Sequence, residues 1–182
     1  MIQRHCIQVS VDLSAEGREA TRVTITSEFS TPIGERYFED YQAGSVYEYG
    51  PTSVTEAEII EFAEKYDPQY IHTDSLAATG GPFGGLIASG WQTAGLMMRL
   101  FVDNFLSSVA SIASPGIDEL RWTKPVRPGD LLRIRIHILE TRPSQSKPDR
   151  GMVRTSVEVV NQNDEIVMSL KAMNILRCRP SA

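Results

Sequence analysis

Apolar and polar positions follow a period near 3.6 in the first part of the chain and a period of two after Pro115. From Thr55 onward Ile59, Phe62, Ala63 and Tyr66 recur at i, i+3, i+4 and i+7, while Glu56, Glu58, Glu61 and Glu64 take the other face. Thr55 with Glu58 forms a capping box, and Val54 can staple to Ile59, so a helix is predicted to start here. Pro68 disfavours helical geometry at Asp67, which therefore ends the helix and begins a turn. Ser89 can cap a second helix of about 18 residues, roughly 27 Å, reaching Leu106. Its stripe of Trp91, Ala94, Gly95, Met98, Phe101, Val102 and Phe105, widened by Leu96, Met97 and Leu100, predicts a helix buried on most sides. On that reading Trp91 and Met98 belong mainly to the core.

Beyond Pro115, Ile134, Ile136 and Ile138 alternate with Arg133, Arg135 and His137, and Val153, Thr155, Val157 and Val159 with Arg154, Ser156 and Glu158. Ile166, Met168, Leu170 and Ala172 continue the pattern, and Ile117 to Trp122 forms a shorter strand. Asn161 to Asp164 reads as a turn, Arg142 to Arg150 as a longer polar loop, and Gly44 to Pro51 as a first strand. Strand, helix, glycine-rich link, long helix and four antiparallel strands predict an α+β domain over residues 36–182, a curved antiparallel sheet wrapped around the long helix. Residues 1–35 form an N-terminal extension with weak patterning, its alternation of Ile7, Val9, Val11 and Leu13 reading as a peripheral strand or arm.

At 182 residues, 41% apolar and 23% charged, the composition excludes disordered, collagenous and disulfide-scaffold classes. Cys6 and Cys178 show no metal spacing and fit a reduced, cytoplasmic chain. No run approaches the roughly 18 apolar residues of a membrane helix, and the N-terminus lacks a signal-peptide core, so neither membrane insertion nor export is expected. The net charge of -5 argues against nucleic-acid partners. It divides unevenly: residues 1–116 hold 6 basic and 15 acidic side chains, and residues 117–182 hold 12 and 8. Arg121, Lys124 and Arg127 read as solvated strand ends, with contact to a ligand phosphate as the sharper alternative.

Gly80 and Gly85 have the spacing of half a P-loop, but Leu86 and Ile87 stand where its lysine and hydroxyl should be. No GxGxxG or GxSxG occurs, and His5, His72 and His137 are too scattered for a metal site. What remains is Asp67 and His72, five residues apart across a turn leaving a helix. Such a pair can face one small volume and activate a single water, or merely cap the turn. The run from Ala77 to Gly90 holds five of the 13 glycines, where a ligand can approach the backbone, and feeds a helix N-terminus whose amides carry partial positive charge. Chemistry that creates an enolate oxygen needs such donors.

These residues carry a resemblance. Phe62-Ala63, Asp67 with His72 and Asp74, Pro82-Phe83-Gly84-Gly85-Leu86-Ile87-Ala88-Ser89-Gly90 and Lys124-Pro125-Val126-Arg127-Pro128-Gly129-Asp130 together resemble the MaoC-like dehydratases, the R-specific enoyl-CoA hydratase family of the hot-dog fold. The resemblance spans about Tyr37 to Arg177. It implies that Asp67 and His72 hold the catalytic water, that the Gly90 N–H polarises a thioester carbonyl, and that Ser89 and Phe83 help bind the substrate. It further implies an acyl-CoA substrate, no separate cofactor because CoA is part of the substrate, and a homodimer joined sheet edge to sheet edge. Gln69-Tyr70 replaces the family's usual Asn-Pro, Ser89 stands where many members have His, and Met98 stands where some have a supporting serine. A hot-dog acyl-CoA thioesterase and a non-catalytic acyl-CoA-binding module fit the same residues as alternatives.

Overall fold

The computed structural model describes residues 29–180. Cys6 and the expected strand at Ile7 to Leu13 lie outside the described residues. Strand β1 (Val46–Ser53) leads to α1 (Glu56–Tyr66), the short α2 (Tyr70–Thr73) and α3 (Ser75–Thr79), and then α4 (Gly90–Asn104). Strands β2 (Ser111–Trp122), β3 (Leu131–Pro143), β4 (Arg150–Val160) and β5 (Ile166–Arg177) complete the chain. The five strands form one sheet in the order β1-β3-β4-β5-β2, every neighbouring pair antiparallel. With α4 against one face, this is the expected α+β hot-dog arrangement.

Period-two patterning places the core. Ile134, Ile136 and Ile138 of β3, Val153, Val157 and Val159 of β4 and Met168, Leu170 and Leu176 of β5 are buried in one cluster with Met97, Phe101 and Phe105 of α4. Each such side chain contributes about 1.5–3 kcal/mol by leaving water. The capping box forms as expected: the Glu58 amide donates to Thr55 Oγ1 at 3.2 Å, and the Thr55 amide donates to the Glu58 carboxylate at 2.8 Å.

Two expectations are corrected. Helix α4 has 15 residues and is not buried on most sides: Trp91, Met98 and Val102 are exposed, and the face on the sheet carries Thr93, Met97 and Phe101. The apolar stripe is wider than the sheet contact, and periodicity alone does not say which edge of a wide stripe is covered. Strand β2 begins six residues before Ile117, running through Pro115 and Gly116. It is an edge strand with register shifts on both sides of Ala113, and an edge tolerates the missing amide of a proline.

The far end of α4 is anchored by Arg36, buried, whose guanidinium donates to the Asn104 and Phe105 carbonyls at 2.7 and 3.0 Å and to the Thr31 carbonyl at 2.8 Å. These are helix-terminal acceptors without intrahelical donors, and the cation complements the negative end of the helix dipole. The Tyr41 hydroxyl donates to the Phe105 carbonyl at 2.9 Å, and burial pushes its phenol up to about 12. Phe29 stacks on Tyr47 at 4.2 Å and packs edge-on to Tyr41, tying the start of the described chain to this end of the helix.

Candidate active site

The site forms where α1 ends and α4 begins. Asp67 is the C-cap of α1, its amide donating to the Ala63 carbonyl at 2.8 Å, and Pro68 turns the chain into the single turn of α2 that carries His72. His72 is buried, and its Nδ1 lies 2.8 Å from the Ile87 carbonyl oxygen. A carbonyl can only accept, so Nδ1 carries a proton, and in the neutral form of the ring Nε2 presents a lone pair. The carbonyl is held in place because the Ile87 amide donates to Ile71 O at 3.1 Å and the Ala88 amide to Val126 O at 2.8 Å. His72 Nε2 then faces Asp67 Oδ2 at 3.5 Å.

Asp67 has two further partners. Gln69 Nε2 donates to Oδ1 at 2.7 Å and Ser89 Oγ donates to Oδ2 at 2.7 Å. The Gln69 bond first and the Ser89 bond second hold the Asp67 carboxyl below the usual carboxylate range, against an opposing burial effect, with the charge of His72 as a smaller contribution. The group is a carboxylate at neutral pH. In the neutral form of the ring, Nε2 and Oδ2 are two acceptors 3.5 Å apart, an arrangement that a water beside them would complete by donating one O–H to each.

Ser89 also caps α4 by accepting the Trp91 amide at 3.2 Å. Gly90 follows, and the Trp122 indole N–H donates to its carbonyl at 2.9 Å. A Cβ at position 90 would lie 2.5 Å from the Trp122 ring, so glycine is required while the indole keeps this place. Trp91 meets Trp122 edge-on at 5.3 Å. Among the described residues the Gly90 amide has no hydrogen-bond acceptor, and it lies at the positive end of α4 beside Ser89. Dyad, cap and amide are thus consecutive links of one small constellation.

A family model of the MaoC-like domain matches residues 40–168. The chain belongs to the MaoC-like dehydratases. It is 37% identical to the MaoC-like dehydratase of Rhodospirillum rubrum, whose crystal structure superposes with a TM-score of 0.75 over 80% of this chain and 99% of that one. It is 27% identical to the R-hydratase PhaJ1 of Pseudomonas aeruginosa, with a TM-score of 0.65 over 79% and 86% of the two chains. Against the 3-hydroxybutyryl-CoA dehydratase of Methylorubrum extorquens it is 30% identical over 144 residues, 75% of this chain and 82% of the relative. Two of these three relatives are named as dehydratases and one as a hydratase, and the name of the third specifies a CoA thioester.

Of the residues singled out in the sequence, Asp67, His72, Ser89 and Gly90 come together. Phe83 has no hydrogen bond to these four residues; its side chain is 40% exposed, and its carbonyl accepts the Arg127 guanidinium at 2.6 Å. Asp74 caps α3 by accepting the Leu76 and Ala77 amides at 3.0 and 2.9 Å. Met98 is 45% exposed, so the expected core placement is wrong for it as for Trp91. Sequence reasoning gave no role to Ile87, whose carbonyl orients His72, nor to Trp122, which covers Gly90. Neither carries a local signal, since one acts through a backbone oxygen and the other arrives from an edge strand.

Proposed function

We propose that this chain hydrates an α,β-unsaturated acyl-CoA to a 3-hydroxyacyl-CoA, or runs the reverse dehydration. The observation that carries the reading is the approach of His72 Nε2 to the Asp67 carboxylate at 3.5 Å, linked through Ser89 to a helix N-terminus whose Gly90 amide has no acceptor among the described residues. Water held between them loses a proton to Nε2 as its oxygen bonds to Cβ. The π electrons of the alkene move toward the thioester oxygen, where the Gly90 N–H stabilises the enolate; one such donor is worth about 3 kcal/mol. The imidazolium then returns the proton to Cα, so water is added across the double bond with atoms and charge in balance. Asp67 keeps its charge throughout, orienting the water and stabilising the imidazolium. CoA is part of the substrate, and no step draws on a cofactor.

A second copy of the chain is the partner we expect. Trp91, Met98 and Val102 of α4 and Ile117 and Trp122 of β2 are exposed apolar side chains, and β2 ends the sheet among the described residues, an edge that edge-to-edge association would cover. Sedimentation of the purified protein tests this, and a monomer at working concentration would refute it.

The activity test is the ultraviolet absorbance of crotonyl-CoA mixed with the protein, with a thiol reagent in a parallel cuvette. Loss of the conjugated enoyl-thioester band without free thiol is the expected result. Release of free thiol would replace hydration by thioester hydrolysis, and tight acyl-CoA binding without turnover would leave a binding module.

A further inference from the structure

Two of the positions at which the dyad's surroundings depart from the family pattern, Gln69 and Ser89, converge on one carboxylate. Gln69 Nε2 reaches Asp67 Oδ1 and Ser89 Oγ reaches Oδ2, each at 2.7 Å, so each oxygen has one donor of its own. The two donors come from different elements, the turn before α2 and the cap of α4, and restrain the carboxylate from opposite ends. Ser89 is fully buried and doubly committed, its oxygen accepting the Trp91 amide at 3.2 Å while its proton goes to Asp67. A serine occupied on both sides has no hydrogen left for a substrate oxygen, which removes it from the expected substrate-binding set.

We infer that Gln69 and Ser89 are positioning residues, a two-point clamp that fixes the orientation of the Asp67 carboxylate and keeps it an acceptor facing His72. The inference rests on the proposed hydration for its catalytic consequence, but the clamp itself is a property of the protein without substrate. With one hydrogen bond already on each oxygen, Asp67 retains lone pairs for a water and cannot rotate without losing both donors. Without the clamp, the carboxyl can turn away from Nε2 or take up the proton that His72 must handle.

His72 is the titratable group that faces Asp67. The other elements packed against it present the Ala63 carbonyl from α1 and the Ser89 hydroxyl from α4, neither of which carries charge. Its protonation is therefore governed by the two clamp donors and by one imidazole, and each donor can be removed separately.

The test uses Q69E, S89A and S89T in the full-length protein. Gln69 is exposed, so Q69E exchanges a donor for an acceptor at constant size with no burial change. S89A removes both the clamp proton and the helix cap, whereas S89T keeps the hydroxyl. The carboxyl 13C resonance of Asp67, followed through the acid range, is expected to titrate at higher pH in Q69E and S89A than in the wild type, and to return toward wild type in S89T. Turnover of crotonyl-CoA is expected to fall about tenfold in kcat for the loss of one hydrogen bond to a charged group, with KM little changed. An Asp67 titration unmoved in Q69E would overturn the clamp whatever the activity. A shifted titration in a protein whose wild type does not hydrate enoyl-CoA would uphold the clamp and remove the proposed function instead.

Discussion

Gly90 is held to glycine by one neighbour, and that makes it a sharp place to perturb the molecule. An alanine there would put its Cβ 2.5, 2.7 and 2.8 Å from three atoms of the Trp122 indole, where carbon atoms normally sit about 3.5–4.0 Å apart. The backbone of α4 is anchored at both ends, by the Ser89 cap and by Arg36, whereas Trp122 is 45% exposed, so the indole moves and the helix stays. Movement breaks the bond from indole Nε1 to the Gly90 carbonyl, about 0.5–1 kcal/mol at an exposed site, and the edge contact with Trp91, about 0.5–1.5 kcal/mol. Alanine recovers up to about 1 kcal/mol of helix propensity, less at the first helical position than in the interior. The net cost of Gly90→Ala is therefore about 1 kcal/mol, or roughly 2–4 °C in Tm for a domain of this size.

The chain's 2 tryptophans are Trp91 and Trp122, so intrinsic fluorescence reads this one place, and the emission should shift to the red as the Trp122 indole enters water. In a Trp122→Ala background the obstacle is gone, and Gly90→Ala should become neutral or stabilising. That reversal of sign, measured by urea unfolding in a double-mutant cycle, is the decisive result. Equal destabilisation in both backgrounds, or an unchanged emission spectrum in Gly90→Ala, would refute the role given to Trp122.

Other expected outcomes follow from the same geometry. His72→Ala and Asp67→Ala should each lower kcat for enoyl-CoA hydration by about 10² or more, measured by steady-state absorbance, and near-wild-type turnover in either would remove the dyad from the chemistry. Because the folded protein holds Asp67 below its ordinary range, its contribution to stability is fully present above the unfolded carboxyl's pKa. It is lost as pH falls through the lower folded value, so Asp67→Asn should lower stability at neutral pH and flatten the acid side of a stability-against-pH curve from urea melts, the two proteins converging below the folded value. Arg36→Met should destabilise by roughly 3 kcal/mol, because it takes the donor from the Asn104 and Thr31 carbonyls and leaves the Phe105 carbonyl with the Tyr41 hydroxyl alone; a midpoint unchanged in denaturant would contradict that anchoring.

Much of this site was written in local residue order. Thr55, Glu58 and Pro68 mark the two ends of α1 by interactions within a few residues, and so place Asp67 at a turn before any tertiary contact forms. Ser89 likewise marks the start of α4 through a hydroxyl that reaches an amide two residues on. The five-residue step from Asp67 to His72 follows from the same turn. The clamp was not legible in this way, although Gln69 and Ser89 were both visible as departures from a known pattern. A glutamine two residues from an aspartate is as often solvated as bonded, and Ser89 is separated from Asp67 by 22 positions.

Periodicity determined the existence of the strands and of α4, because burying one face of each element is the dominant demand on the chain. Tertiary structure decided the rest. It chose which edge of the wide α4 stripe meets the sheet, leaving Trp91 and Met98 outside, and it extended β2 through Pro115 because an edge position forgives the lost amide. It also brought the Ile87 carbonyl to His72 and the Trp122 indole to Gly90. Contacts of that kind depend on how elements pack across the sheet and on backbone atoms that every residue possesses, so no pattern of side chains along the chain announces them.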